Sequence, residues 1–330
     1  MAAGLGTRLR PLTHEIPKPL VPVANRPIME HILRLLAGHE LNEVVANLHW
    51  FGDTIRERFG DGSELGVELT YSEEEELLGT AGGVRNVRSF FGDEPFVVMA
   101  ADALTDIDLQ ALARTHADNP WMATLAVKRV TDTSEYGVVV TGSDGRIAGF
   151  QEKPDAGEAL SDLANCMIYV LEPEVFAHFP DQDEVDFAVD VFPALLEADV
   201  PFGVHVMDGY WNDVGSLSEY LQGNLDAITG AIGVEPAGEL IDDADADGIG
   251  DGADITGPVL LGDGATVGAE AELEGPLVIG PGASIGARAR VRESVLLPGA
   301  DVPADGLLAG AIAGNARALT GAPTAAGPSG

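Results

Sequence analysis

Apolar positions along the chain change period twice. From Pro27 to about Phe202, segments of helical period alternate with short β-rich runs. Ile28, Ile32, Leu35 and Leu36 mark one helical face, strand-like runs follow at 43–48, 67–71 and 95–101, and helical stretches at 54–59 and 81–91 lie between them. These βαβ spacings predict an α/β domain with a mixed, mostly parallel sheet. Residues 136–140, then Ser143-Asp144-Gly145, then 146–151 predict a hairpin, and helices are expected again over 187–197 and 216–228. Beyond 254 the period becomes six: Ile255, Leu261, Val267, Leu273, Ile279, Ile285, Val291 and Leu297, with Gly following at 262, 268, 280 and 286. That is the hexapeptide pattern of a short parallel β-helix. At three hexads per turn it predicts fewer than three turns, with an open end covered by a cap or by a second chain in a homo-oligomer. The boundaries expected are an α/β domain over 1–229, an acidic linker over 230–254, the β-helix over 255–313 and a flexible tail over 314–330.

The linker expectation comes from charge. Eight acids and no Lys or Arg stand between Glu235 and Asp254, and DDADADGIGDGAD has a calcium-loop look without the twelfth-position Glu. Over 330 residues, 18 Lys and Arg face 54 Asp and Glu, a net charge of -36. Nucleic acid and anionic membranes are therefore poor partners. With 45% hydrophobic residues the chain has enough apolar material to fold, so the acid belongs to the surface. Only Lys18, Lys128 and Lys153 are lysines. An acid-loaded, lysine-poor surface suits a protein working in concentrated salt, where its self-repulsion is screened. Cys166 stands alone, which removes disulfides and Cys-based zinc sites, and no apolar run reaches a membrane span or a signal segment. A cytoplasmic protein is expected.

In a chain so poor in cations, the N-terminal segment stands out: Ala3-Gly4-Leu5-Gly6-Thr7-Arg8-Leu9-Arg10, then Pro17-Lys18-Pro19. It lacks the third Gly of a dinucleotide fingerprint, since Leu9 is there, and the Gly-Lys-Ser/Thr of a Walker A loop. A Gly-rich turn that exposes backbone N–H groups, followed by Arg and Lys, suits a polyphosphate. Asp102 closes the apolar run 96–101, and strand C-termini are where ligands sit in open α/β sheets. Asp213 follows the run 202–207. Two carboxylates with phosphate oxygens and water suit Mg²⁺. Blander roles exist for each. Asp102 could cap a helix over 107–112, although Thr105 and Asp106 are better placed; Glu152 and Lys153 could be a surface ion pair; Asn165 could satisfy buried backbone groups. Tyr210 and Trp211 read as packing residues and Cys166 as a small buried hydrophobe.

The run GLGTRLRPLT…PKPLVPV resembles the signature of the sugar-1-phosphate nucleotidylyltransferases. The likeness continues through Leu78-Gly79-Thr80-Ala81-Gly82, Asp102, Glu135-Tyr136-Gly137-Val138, Phe150-Gln151-Glu152-Lys153-Pro154, Asn165 and Gly209-Tyr210-Trp211-Asn212-Asp213-Val214-Gly215, and on into the hexapeptide tail. It implies a Rossmann-like nucleotidyltransferase fold followed by a left-handed β-helix. The implied reaction is Mg²⁺-dependent: a sugar 1-phosphate oxygen attacks the α-phosphorus of a nucleoside triphosphate, and pyrophosphate leaves. Arg8 would hold the departing end of the triphosphate with Lys18 assisting. Ala3, Gly4, Gly6, Thr7, Gly79 and Thr80 would lie along the nucleotide. Lys153 would take the sugar phosphate, Glu152 the hydroxyls, and Asn165 with the Gly137 backbone the ring; Asp102 and Asp213 would hold Mg²⁺. Two of the three lysines fall on matched positions. The motifs resemble the mannose-1-phosphate guanylyltransferase branch more than the glucose-1-phosphate thymidylyl- or uridylyltransferases. Two departures stand out. Members start with an apolar strand ahead of the Gly-rich loop, so an upstream extension of about six residues is expected to add stability; and Ala100-Ala101 replaces the usual Asn-Gly before the metal-binding Asp.

A non-catalytic regulatory subunit that binds a nucleotide sugar would be expected to have lost Arg8, Lys18, Asp102 or Asp213, and all four are present. An acyltransferase on the β-helix would want a His general base, and no His follows His205.

Overall fold

The nine residues Leu163–Leu171, all but one buried, form the central strand of the α/β region. The computed structural model describes residues 1–314 other than 156 and 245, and the backbone of 317–319. Two compact units emerge: Met1–Leu5 with Ile32–Trp211, and Gly6–His31 with Asn212–Gly330.

In the first unit, Leu163–Leu171 pairs antiparallel with Phe96–Met99, Ala123–Arg129 and Gly137–Thr141. Ala123–Arg129 adds Gly203–Val206 in parallel, and Gly137–Thr141 turns back into Ile147–Glu152 as the expected hairpin. Glu43–Leu48 and Glu68–Glu73 form a parallel pair of their own across the helix Gly52–Phe59. The sheets are mixed, with the antiparallel joints gathered around one strand. A strand buried on both faces shows no polar alternation, so its direction leaves no trace in the hydrophobic pattern. Its side chains divide by parity: Tyr169 and Leu171 join Phe96, Leu125, Phe187, Phe192 and Phe202 on one face, while Ile168 and Val170 join Ile32, Met99 and Leu112 on the other.

Local chemistry sets the element ends. Leu109–Ala117 begins after Asp108, whose carboxylate accepts the Ala111 N–H at 2.9 Å. Thr105 and Asp106, the caps expected from sequence, instead hold Tyr210: Thr105 Oγ1 donates to Tyr210 O at 2.7 Å and Asp106 Oδ1 accepts the Tyr210 N–H at 2.6 Å. The single helix expected over 187–197 is a π turn, Phe187–Val191, followed by Phe192–Glu197 with Pro193 in its first turn. Proline lacks the N–H that an uninterrupted α-helix needs.

In the second unit, three parallel β-faces stack into the β-helix. Asp254–Thr256, Glu272–Glu274, Arg290–Arg292 and Leu307–Ala309 make one face; Val259–Leu261, Leu277–Ile279, Val295–Leu296 and Ile312–Gly314 another; Thr266–Val267, Ser284–Ile285 and Asp301–Val302 the third. The tract therefore exceeds the expectation of fewer than three turns, because the hexad count stops at Leu297. There the repeat slips. Val259 pairs with Leu277, eighteen residues on, but Ile279 pairs with Leu296, seventeen on. Leu296 is buried in the core and Leu297 is not. Buried Ser294 sits in the slipped coil; its hydroxyl donates to Arg292 O at 2.6 Å and accepts the Ala311 N–H at 3.2 Å. The glycines at 262, 268, 280 and 286 serve close approach, since a Cβ at Gly262 would come within 2.5 Å of Pro281 N on the next coil.

The acidic stretch is built into this helix rather than spanning solvent as a linker. Glu239–Ile241 pairs antiparallel with Val259–Leu261, Ile249 bridges Val267, and Ile241, Ala246 and Ile249 pack on the core. Sparse aliphatic residues among the acids are enough to dock it. Arg317–Leu319 pairs antiparallel with Ile312–Gly314 within the segment expected to be a tail, and 320–330 lie outside the described residues. Helix Leu217–Thr229 starts from Ser216, whose hydroxyl accepts the Glu219 N–H at 3.2 Å. Among the described residues no helix is long and apolar enough to cross a membrane.

Candidate active site

Three of the anticipated residues converge in the second unit. Gly6, at φ 60° and ψ 31°, opens a short 3-10 turn, Thr7–Leu9, and its carbonyl accepts from Thr13 Oγ1 at 2.7 Å. That tight turn needs glycine twice over: the left-handed conformation disfavours a side chain, and a Cβ would stand 3.0 Å from that of Lys18. The turn carries Arg8 to Asp213, Nη2 to Oδ2 at 3.1 Å. Lys18, buried, donates Nζ to Asp213 O at 2.8 Å. Gly215 allows the approach, because a Cβ there would lie 2.5 Å from Arg8 Nη1 and 2.7 Å from Asp213 Oδ2. Burial, helped by the charge of Glu219, pushes the Asp213 carboxyl above its usual range, against the pull of Lys18 and Arg8. Arg8 itself is half exposed, so the guanidinium can reach a ligand from solvent.

The first unit holds the remaining candidates. Asp102 follows the end of Phe96–Met99, as expected of a residue at a strand terminus; Ala101 N–H beside it donates to Met1 O at 2.9 Å. Gly79, at φ 76°, begins helix Gly79–Asn86 and abuts the carbonyl of Val185, which accepts the N–H groups of Ala81 and Gly82, both at 2.9 Å. Thr80 Oγ1 donates to Asp186 Oδ2 at 2.7 Å. Gly137 and Glu152 face each other in the hairpin register, and exposed Lys153 follows at a left-handed φ of 42° with its N–H on Tyr136 O at 3.2 Å. Asn165 is buried at a bulge in the central strand: Oδ1 accepts the Met167 N–H at 3.1 Å and Nδ2 donates to Tyr169 Oη at 3.0 Å. Its amide thus shapes the strand.

Two residues near these positions escaped sequence reasoning. Asp186 caps the π turn through Ala188 N–H at 2.8 Å while holding Thr80, and only its place ahead of an apolar run hinted at a cap. Lys128 donates to Asp208 O at 3.0 Å and Gly209 O at 2.6 Å, fixing the turn into Tyr210 and Trp211. Trp211 Nε1 donates to Cys166 O at 3.2 Å and its ring packs with Tyr136, 5.3 Å between centroids, so it is a packing residue as expected. Cys166 is fully buried, and burial pushes its thiol far above the usual range.

A model of the nucleotidyl transferase family matches residues 1–230. The chain belongs to that family. Among curated relatives of this family member, UTP–glucose-1-phosphate uridylyltransferase of Synechocystis is 40% identical over 248 residues, 71% of this chain and 63% of that protein. Mannose-1-phosphate guanylyltransferase of Mycobacterium tuberculosis is 34% identical over 274 residues, 81% of this chain and 75% of that protein. The chain thus spans less than two thirds of the first relative's length. Among solved structures, UDP-glucose pyrophosphorylase from Acinetobacter baumannii shares the fold with a TM-score of 0.60 at 23% identity, covering 69% of this chain and 92% of that one.

Proposed function

We propose that the protein transfers a nucleotidyl group from a nucleoside triphosphate to a sugar 1-phosphate, releasing pyrophosphate, with GTP and mannose 1-phosphate as the pair. The observation that carries this is the convergence of Arg8 and Lys18 on Asp213 at a glycine turn, in a chain with 18 cations against 54 acids. Without substrate, the Arg8–Asp213 pair neutralises two groups that the reaction needs separately. On binding, Arg8 goes to the departing phosphates and offsets the charge that builds on them, and Lys18, anchored on Asp213 O, adds fixed positive charge beside the carboxylate. The nucleotide is assigned to the backbone of Ala3, Gly4, Gly6 and Thr7 and to Gly79 and Thr80. The sugar phosphate is assigned to Lys153, its hydroxyls to Glu152, and the ring to Asn165 and Gly137. No covalent enzyme intermediate is required.

Metal ligation is assigned to Asp102 and Asp213. Among the described residues no three His, Cys, Asp or Glu side chains gather as a metal cage. That donor set fits Mg²⁺, which binds through one or two carboxylates and completes its shell with water and phosphate oxygens. When bound, Mg²⁺ supplies charge neutralisation and orients the phosphates. A second pair, UTP with glucose 1-phosphate, is favoured by the 40% identity to the uridylyltransferase against 34% to the guanylyltransferase.

The test is pyrophosphate release with Mg²⁺ in high KCl, crossing five triphosphates with mannose, glucose, galactose and N-acetylglucosamine 1-phosphates. Release that depends on one pair and disappears in Asp102→Asn names the reaction. Silence across the grid in a folded protein overturns it and leaves a nucleotide-sugar-binding subunit.

A further inference from the structure

We propose that Asn47 and Glu74 form a buried strut that sets the spacing of the two nucleotide-binding segments, making them positioning residues for the triphosphate; this rests on the assignment of Ala3-Gly4 and Gly79-Thr80 given above. Four residues form one hydrogen-bonded line inside the first unit. Ala2 N–H, immediately before Ala3, donates to Asn47 Oδ1 at 2.8 Å. Asn47 Nδ2 donates to Glu74 Oε1 at 2.7 Å, and Glu74 Oε2 accepts the N–H of Leu78, immediately before Gly79, at 3.2 Å. Both side chains are more than nine-tenths buried. Asn47 comes from the strand Glu43–Leu48, and Glu74 from the residue after its parallel partner Glu68–Glu73, so two paired strands supply the rigid base. Gly83 leaves room for the junction, since a Cβ there would come within 2.5 Å of Glu74 Oε1 and 2.6 Å of Asn47 Nδ2.

A carboxylate and an amide this deep have no solvent to fall back on, so each keeps the partners it has and holds one geometry. Each end of the line is a backbone N–H one residue from a segment assigned to the nucleotide. Shortening the line at either side chain lets the segments drift apart while leaving Glu152, Lys153 and Gly137, assigned to the sugar 1-phosphate, on or beside a separate antiparallel hairpin. The expected signature is selective: nucleotide affinity falls and sugar-phosphate affinity does not.

Hydrogen-bond exchange provides the test. In Asn47→Asp with Glu74→Gln, the new Asp oxygens accept from Ala2 and from the Gln amide, and the Gln carbonyl accepts from Leu78, so all three bonds survive with one donor reversed. Asn47→Asp and Glu74→Gln alone each lose one, and Asn47→Ala loses two. Calorimetric binding of GTP and UTP to the whole 330-residue chain, with KM for triphosphate and for sugar 1-phosphate, should show each single variant weakened at least about tenfold toward the triphosphate, within twofold toward the sugar phosphate, and the double variant recovered. Thr124→Val removes a different buried bond, to His116 at 2.9 Å, and controls for lost stability. Equal binding by the single variants, equal loss for both substrates, or a double variant no better than the worse single overturns the strut. A wild type that binds no triphosphate overturns the functional assignment and the strut with it.

Discussion

Between residues 239 and 314 one described polar side chain is buried, that of Ser294, whereas the α/β unit buries Asn47, Glu74, Thr105, His116, Thr124 and Asn165. The β-helix repeats one aliphatic contact, and its backbone groups pair coil to coil, so it needs no internal polar chemistry. The α/β unit ends its strands in loops whose backbone N–H and C=O groups have no such ladder. Buried amides and carboxylates fix those loops: Asn47 and Glu74 hold 2 and 78, Asp106 holds 210, and Asn165 holds the bulge at 167. Polar burial therefore marks where shape serves function, and aliphatic repetition marks where it serves stability.

The sharpest way to break that division is to strike the cluster around Asp213. Arg8→Ala removes a half-exposed side chain, so its melting temperature should stay near wild type while kcat/KM falls roughly 10²–10³-fold, the range for losing one group that stabilises transition-state charge. Steady-state pyrophosphate release alongside calorimetric melting checks it. A variant that melts early and keeps its turnover would make Arg8 structural.

The opposite pattern is expected from the β-helix. Leu273 is 2% exposed in the coil core, and Leu273→Ala should cost about 2–5 kcal/mol through lost burial and the cavity left behind. Denaturant titration gives the loss, and turnover per folded molecule should stay within twofold. A collapse of turnover below the melting transition would show that the coil transmits its packing to the site.

Ser294 tests the boundary between the two regions, because it is a polar device inside the repetitive one. Ser294→Ala leaves the Ala311 N–H without its acceptor and should cost about 1–3 kcal/mol, more than trimming an ordinary surface hydroxyl. Ser294→Leu would restore an aliphatic side chain but not the missing residue in the seventeen-residue coil, so it should destabilise as well. A stabilised leucine variant would mean the slip is tolerated rather than required.

What the sequence disclosed follows the same division. Hexads at 255, 261, 267, 273, 279, 285 and 291 place their side chains inside, because an inward position every sixth residue is the geometry of the coil. Leu297 fails by one place, since a deletion is invisible to a count of period. Outside the repeat, the meeting of Arg8, Lys18 and Asp213 in the second unit was foreshadowed because cations are rare here and glycine turns have few uses. Asp186, Lys128 and the Asn47–Glu74 pair were not, because a buried polar residue looks like a surface one until long-range topology supplies its partner. The acidic stretch misled for the converse reason: eight charges concealed Ile241 and Ile249, which dock it.

The smallest expected effect separates the kinds of charge interaction the two regions use. Asp108 in the α/β unit and Asp305 on the β-helix both titrate below the ordinary 3.8, the first mainly through the Ala111 amide at its helix start, the second through the Arg288 guanidinium, paired at 2.8 Å through both oxygens. A carboxyl depressed by folding stabilises the folded state above its ordinary value, and that contribution is lost as pH falls through the lower, folded one. Both contributions are therefore present at neutral pH, where stability does not vary with their titration, and are lost only in acid, below 3.8. Salt should part them. Raising KCl from about 0.1 M to about 1 M shortens the screening length from roughly 10 Å to 3 Å, which weakens an exposed ion pair more than a hydrogen bond to a backbone amide. Carboxyl-carbon NMR titrations should show Asp305 rising toward 3.8 while Asp108 moves less. If Asp108 rises as far, the charge of Arg114, 3.4 Å away, and not the helix cap, governs it.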